Sequence, residues 1–311
     1  MSVFLAALLL PSLFWDKGPE TANLLRQAQI DHISTSPEMA ASWRAVPGIS
    51  ADIVDPKQLI RVLTPSAIFH AEEASATRSP WVNSNAWRFL RQPTGRFYYE
   101  APGSAAPLAA AEAFMYAANA VIHTDAAGLD PFGKMLAFVK QVGSEDLPPM
   151  VNIGFVDDGS RQSGEFMNLL VRRNLLFRVV KKPDPKLDLT VSLGSPQYPM
   201  SEADNPNFLA GKVRSNLSDE KRLLRLYGSE LVVGRLVGDT NGARLYLLNY
   251  GAARSPVEGV RIRILGLYTK QNIAEYDRPN PRLLDVSAGP AATEFTVPEL
   301  KVFGVINLSR D

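Results

Sequence analysis

The chain has 311 residues, 46% of them apolar and 21% charged, which is enough to bury a large core in about two domains or one large domain with an appendage. Lys and Arg total 33 against 32 Asp and Glu, so the net charge of +1 excludes a global basic footprint for nucleic acid and an acidic disordered chain. There is no cysteine, which excludes disulfides, Cys-ligated zinc, iron–sulfur clusters and thiol nucleophiles.

In chain order, Met1–Phe14 reads MSVFLAALLLPSLF. The apolar run Val3–Leu10 is too short to span a bilayer and has the length of a secretory h-region. No Lys or Arg precedes it and no A-x-A-like site follows. The alternative is a buried first strand. We read residues 1–11 as an export signal, which places the protein in a secreted or periplasmic compartment, with Ser12–Trp15 opening the fold. No later segment is apolar and long enough to cross a membrane.

Gly18-Pro19-Glu20 starts a helix that runs to about Ala28, and Ile30–Thr35 follows as a strand. Ser36-Pro37-Glu38 repeats the start signal, with Met39 and Trp43 four apart on one face. Ile49–Val54, Ser66–Ala71 and the aromatic Phe97–Glu100 are strands. Ser104 caps a long Ala-rich helix ending near Asn119, apolar nearly all round and therefore buried between layers. Ala120–Thr124 is the next strand, and Asp130-Pro131 opens a helix closed by Gly143.

Gly143–Pro149 is a polar break ending in two prolines. Val151–Val156, a helix carrying Phe166, Leu169, Leu170 and Val171, and Leu175–Val180 form a βαβ start, so a parallel sheet is expected. Leu187–Leu193 adds a strand. Asn205-Pro206 and Ser218-Asp219-Glu220 start two more helices, the second ending at Gly228. From Ser229 onward seven short strands follow, separated by Gly/Pro turns. They include the Asn241-Gly242 hairpin signal and the alternating Val260–Ile264. That texture is a β-sandwich. The fold class expected is α/β plus all-β. It comprises an incomplete or remodelled (β/α) barrel over 12–147, a flavodoxin-like α/β module over 148–228 and an antiparallel β-sandwich over 229–311.

This order resembles a shortened clan-A glycoside hydrolase of the β-galactosidase kind, in which a TIM barrel precedes a glutamine-amidotransferase-like α/β domain and a C-terminal all-β domain. The segments that carry the resemblance are Phe97-Tyr98-Tyr99-Glu100 with Ala109–Phe114, Val151–Asp157, and Thr293–Leu300. It covers most of the chain in order. Residues 13–147 fall far short of the roughly 250 residues of a full barrel, so the implied barrel is partial. The resemblance implies glycoside hydrolysis, and no acid, base or nucleophile position is carried over from it.

Glycoside hydrolysis needs two carboxylates across a sugar, and βα architectures place such groups at the C-terminal ends of strands. Glu100, Asp125 and Glu72 (beside Glu73) occupy that position, with Glu100 leading. The structural alternative is that strand-end acids cap the following helices. The His70-x-Glu72 and His123-x-Asp125 pairs each put a histidine and a carboxylate on one side of an extended chain, a weak nitrogen/oxygen metal set. The alternative there is histidines, His32 included, hydrogen-bonded near a sheet edge. Trp81-Val-Asn83-Ser-Asn85-Ala-Trp87-Arg88, with Trp15, offers aromatic walls and donors for a sugar, or else a loop pinned into the core.

Asp157-Asp158-Gly159-Ser160 stands where doubly wound sheets bind ligands. No GxGxxG or Walker A pattern accompanies it, and Ser160 lacks the setting of a hydrolase elbow, so helix capping is favoured. The short basic runs Arg172-Arg173 and Lys181-Lys182 read as solvated surface. No cofactor is expected. The expected partner is carbohydrate, homo-oligomerisation is left open, and nucleic acid is not a partner. Three functional readings follow: an exported carbohydrate-active protein of glycoside hydrolase type, active or degenerate; a non-catalytic carbohydrate- or protein-binding or assembly protein; and a metal-dependent hydrolase.

Overall fold

A computed structural model describes residues 10–69, 80–143 and 147–310. The elements in chain order are β1 (Ser12–Phe14), α1 (Ala22–Gln27), β2 (His32–Thr35), α2 (Pro37–Trp43), β3 (Ser50–Ile53), β4 (Ile60–Val62), β5 (Ser66–Ile68), β6 (Trp81–Asn83), α3 (Ala86–Arg91), β7 (Arg96–Glu100), α4 (Ala105–Met115), β8 (Asn119–His123) and α5 (Ala126–Val142). There follow β9 (Ile153–Val156), α6 (Arg161–Arg172), β10 (Phe177–Val180), β11 (Leu189–Ser192), α7 (Pro206–Leu217) and β12 (Leu224–Tyr227). The chain ends in β13 (Val232–Gly238), β14 (Gly242–Asn249), β15 (Val257–Leu265), β16 (Lys270–Glu275), β17 (Leu284–Ala288), β18 (Ala292–Leu300) and β19 (Phe303–Ser309). The described residues divide into two compact units, one built from 10–66 and 93–143 and the other from 67–69, 80–92 and 147–310.

The first unit is a six-stranded sheet in the order β3-β2-β1-β8-β7-β4, and all of its pairings are parallel. Alternate residues divide between its two faces. Leu13, Ile33, Tyr99 and Ile122 are fully buried on the helix side, where the Tyr99 hydroxyl donates to Glu112 Oε2 of α4 at 2.7 Å. The opposite face carries a smaller cluster of Phe14, Val54, Leu59, Tyr98 and Val121. Beside this cluster on the same face stand Ser12, Ser34, His123 and Glu100. Among the described residues no pairing joins β3 to β4, the two ends of the sheet. The barrel expected in part is therefore an open, wholly parallel sheet.

Helix α5 begins earlier than Asp130-Pro131 suggests. Its N-cap is Asp125, whose side chain accepts from the Gly128 N–H at 2.9 Å, and Pro131 sits inside the helix. A satisfied cap thus outweighs one backbone hydrogen bond lost to proline. Gly133 of α5 lies where a Cβ would meet the Ala28 carbonyl oxygen at 1.9 Å, so α1 and α5 cross with backbone close to backbone.

The second unit contains the β5–β6 ribbon, α3, a three-stranded parallel sheet in the order β10-β9-β11, and two four-stranded antiparallel sheets. Phe155 on β9 is fully buried. It meets Phe166 of α6 edge-on at 5.6 Å and Phe177 of β10 at 6.0 Å. Ser160 caps α6 by accepting from the Ser163 N–H. Asn205 caps α7 by accepting from Phe208, with Pro206 at the first helical position.

The helix expected from Ser218 does not form. Ser218 turns the chain at φ +65. Asp219 is engaged by Arg214 and Arg222. Leu224–Tyr227 becomes a strand antiparallel to β15. β12 completes the sandwich, whose sheets run β12-β15-β18-β17 and β13-β14-β19-β16 around Leu224, Leu245, Ile262, Phe295 and Ile306. The alternation at 260–264 holds, with Val260, Ile262 and Ile264 fully buried. β13 is an end strand, and its outer edge is covered from outside the sandwich. Met150 N–H donates to Leu236 O at 2.9 Å and Gly238 N–H to Pro148 O at 2.7 Å. The buried Asn174 side chain donates to Val232 O and accepts from Gly234 N–H.

Candidate functional site

Parallel neighbours deliver their C-terminal residues to one edge. In the register of β1, β8 and β7, Phe14 stands opposite His123 and His123 opposite Glu100. The chain beyond β1 brings Asp16 to the same edge. His123 Nδ1 lies 2.7 Å from Glu100 Oε2, and its Nε2 lies 3.4 Å from Asp16 Oδ1. The two carboxylate side chains are about half exposed and the histidine a quarter exposed. The His123 imidazole thus stands between the two carboxylates and holds one at each ring nitrogen.

Tyr98 supports this centre from below. It is two residues before Glu100 and so points to the same side of β7. Its hydroxyl donates to Glu100 Oε1 at 2.9 Å. Its ring is stacked on His123 and edge-on to Phe14 at 5.7 Å, and the Arg61 guanidinium lies 5.4 Å above it. Burial first, and then the bond to Glu100, push the Tyr98 phenol well above its ordinary value, so it remains a neutral donor. The Thr64 hydroxyl donates to the Glu100 carbonyl at 2.6 Å, tying the end of β7 to the chain after β4.

Of the other carboxylates expected here, Asp125 turns to the backbone. It accepts from Gly103 and Gly128 N–H groups, both at 2.9 Å. The Gly103 bond, more than any other influence, holds its carboxyl below the usual range. It thereby fastens the loop after β7 to the start of α5. Glu72, Glu73 and His70 lie outside the described residues. Among the described residues no group of three or more His, Asp or Glu side chains is placed to hold a metal ion. His32 sits at the other end of the strands, between Asp52 and Ser50.

Trp15 has no exposed surface. Its Nε1 donates to Thr21 Oγ1 at 2.8 Å, and Lys17 Nζ lies over its ring at 5.3 Å. Trp81, Asn83, Asn85, Trp87 and Arg88 belong to the second unit, whereas Glu100 and His123 belong to the first. Trp81 is 41% exposed, with the Arg172 guanidinium 3.9 Å over its ring. Trp87 is flanked by Arg88 and Arg91 at 4.3 and 5.0 Å and packs on Gly164. Asn85 is fully buried and accepts from Arg88, and Asn83 is half-buried on β6. Arg91 clamps Asp157 with two bonds of 2.8 and 2.7 Å, which commits the strand-end acid after β9 to structure.

The sequence reading missed Asp16 and Tyr98 as members of the centre. Tyr98 carried a signal in its i, i+2 relation to Glu100. Asp16 carried one in its place beside Trp15 just after the first strand, but only the pairing of β1 with β8, distant in sequence, brings it to His123.

No family model matches the sequence, and no curated protein matches it. Among solved structures, the chain is similar to alpha-L-fucosidase isoenzyme 2 from Paenibacillus thiaminolyticus. The TM-score is 0.56 at 8% identity, over 88% of this chain and 70% of that one. A GH42 beta-galactosidase from G. stearothermophilus aligns at TM-score 0.41 and 5% identity, over 86% and 65% of the two chains. A beta-galactosidase from Bacillus circulans sp. alkalophilus aligns at 0.42 and 8%, over 92% and 61%. The fucosidase likeness establishes a glycoside-hydrolase-like fold, and the two galactosidases differ too much in shape to add to it. Among the described residues no helix is long and apolar enough to cross a membrane.

Proposed function

We propose that this chain is an exported carbohydrate-active protein of the glycoside hydrolase kind, with Glu100, Asp16 and His123 as its chemical centre. The observation that carries the reading is the pair of carboxylates flanking one imidazole at the C-terminal edge of a parallel sheet, the position from which βα enzymes act. Glu100, which accepts from the Tyr98 hydroxyl, is assigned the base or nucleophile, with Asp16 holding the far side of the His123 ring. Asp125 holds the rim in place through its two backbone bonds. Export rests on the apolar run in residues 1–11.

The test is a chromogenic glycoside panel run beside a glycan array. At least one glycoside should be hydrolysed, and Glu100→Gln should lower kcat by about 10²–10⁴-fold with little change in Tm, since the side chain is half exposed. An unaltered rate in that variant removes the assignment. The exposure of both carboxylates favours a second reading, a non-catalytic carbohydrate binder. Retention on the array with no turnover of any glycoside would select it.

A further inference from the structure

The sheet face that ends in Glu100 is hollow at its opposite end. A cavity of about 610 Å³ opens among the first residues of β1, β2, β7 and β8, the edge strand β3 and the last turns of α5. Val121 and Leu136 give it apolar patches. The interior layers of a (β/α) barrel are filled by bulky branched side chains. Here Ser12, Ser34 and Asn119 stand in that place, the two hydroxyls 3.2 Å apart, and their small volume leaves the space open.

The lining is polarised. At one side Arg96 and Asn119 begin neighbouring strands in register, and among the described residues no carboxylate pairs with Arg96. At the other side stand two acids, Asp52 beside His32 at 3.1 Å and Asp31 beside Lys140 at 3.6 Å. All four of these side chains are well exposed, so both contacts are weak and open to exchange with a ligand. From β7, which carries Arg96, to β3 is four strand spacings, at most about 19 Å, a span that the long Arg96 side chain shortens toward one or two sugar rings. Arg offers a forked match to a carboxylate or phosphate. The serines, Asn119 and the acids suit hydroxyl groups.

We propose that this cavity binds an acidic sugar, a polyhydroxylated ring bearing one carboxylate or phosphate, with the anion on Arg96 and the hydroxyls toward Asp31 and Asp52. The inference is independent of the Glu100 centre, since it concerns the other end of the strands.

The test is calorimetric titration of the full chain with galacturonate, glucose 6-phosphate, methyl β-galactoside and inorganic phosphate. At least one of the first two should bind tenfold or more tighter than either of the last two, and which of them wins distinguishes a uronate from a sugar phosphate. Arg96→Gln should weaken that binding at least tenfold, with Arg96→Lys between. Arg96 is exposed at the start of its strand, so the variant should fold. Asn119→Leu, which keeps the size of the side chain and removes its amide without removing a charge, should also weaken binding tenfold. Equal binding of the neutral galactoside, equal binding of inorganic phosphate, or an unchanged affinity in Arg96→Gln overturns the proposal. So does loss of binding in Glu100→Gln alone.

Discussion

Gly133→Ala and Gly211→Ala make the same chemical change inside two helices, and the structure gives them opposite signs. In a helix interior that is not crowded, replacing glycine by alanine gains about 1 kcal/mol. Gly211 of α7 meets that condition, since an added Cβ finds nothing within 4 Å. Gly133 of α5 does not, since its Cβ would come within 1.9 Å of the Ala28 carbonyl oxygen. A backbone oxygen cannot rotate aside as a side chain can, so α1 and α5 must separate. Overpacking of this kind costs about 1–3 kcal/mol. The two variants should therefore differ by about 2–4 kcal/mol, with Gly211→Ala above the parent and Gly133→Ala below it. Hydrogen exchange read peptide by peptide under native conditions measures the opening free energy of each helix separately, which matters in a chain of two compact units. A neutral or stabilising Gly133→Ala would refute the close crossing, and with it the helix layer that holds β1 and β8 in register.

Two further outcomes are expected. Phe155→Ala should cost about 3–5 kcal/mol, because Phe155 joins α6 and β10 in one aromatic cluster. A urea midpoint that hardly moves would show that this cluster is not the core of the three-stranded sheet. The Arg214 guanidinium, ahead of Arg222, holds the Asp219 carboxyl down to about 2. A depressed carboxylate contributes stability that is full above its unfolded value of about 3.9 and lost as pH falls through the folded value. The stability gap between the parent and Asp219→Asn should be present at pH 6 and close between pH 4 and pH 2. A gap that stays constant over that range contradicts the pairing.

Signals local to a few residues were readable in the sequence, and those made by distant pairing were not. The period-two burial of Val260, Ile262 and Ile264 shows in the residues themselves, and so does the aromatic strand that delivers Glu100. Asp130-Pro131 imitates a helix start, but the true start is Asp125, whose side chain captures the Gly128 N–H. Ser218-Asp219-Glu220 imitates another, yet Asp219 is taken by two arginines and Leu224 is drawn into the sandwich, where packing overrides local preference. Three-residue strands such as β4 and β6 are too short to show any period. Trp15 read as a sugar wall because it follows a strand, whereas its ring is enclosed and its N–H satisfied by Thr21. Asp16, its neighbour, is the residue that faces His123.

The covering of β13 has a consequence for how the molecule can be divided. An end strand left bare invites pairing with another molecule. Here Pro148, Met150 and Asn174 shield it, all supplied by chain that precedes the sandwich. A cut near Gly228 would part the barrier from the strand it guards and leave β12 on the wrong side. The last eighty or so residues are therefore no detachable cassette. Released alone they should clump, and any transplant of them into another protein needs the 147–228 stretch as escort.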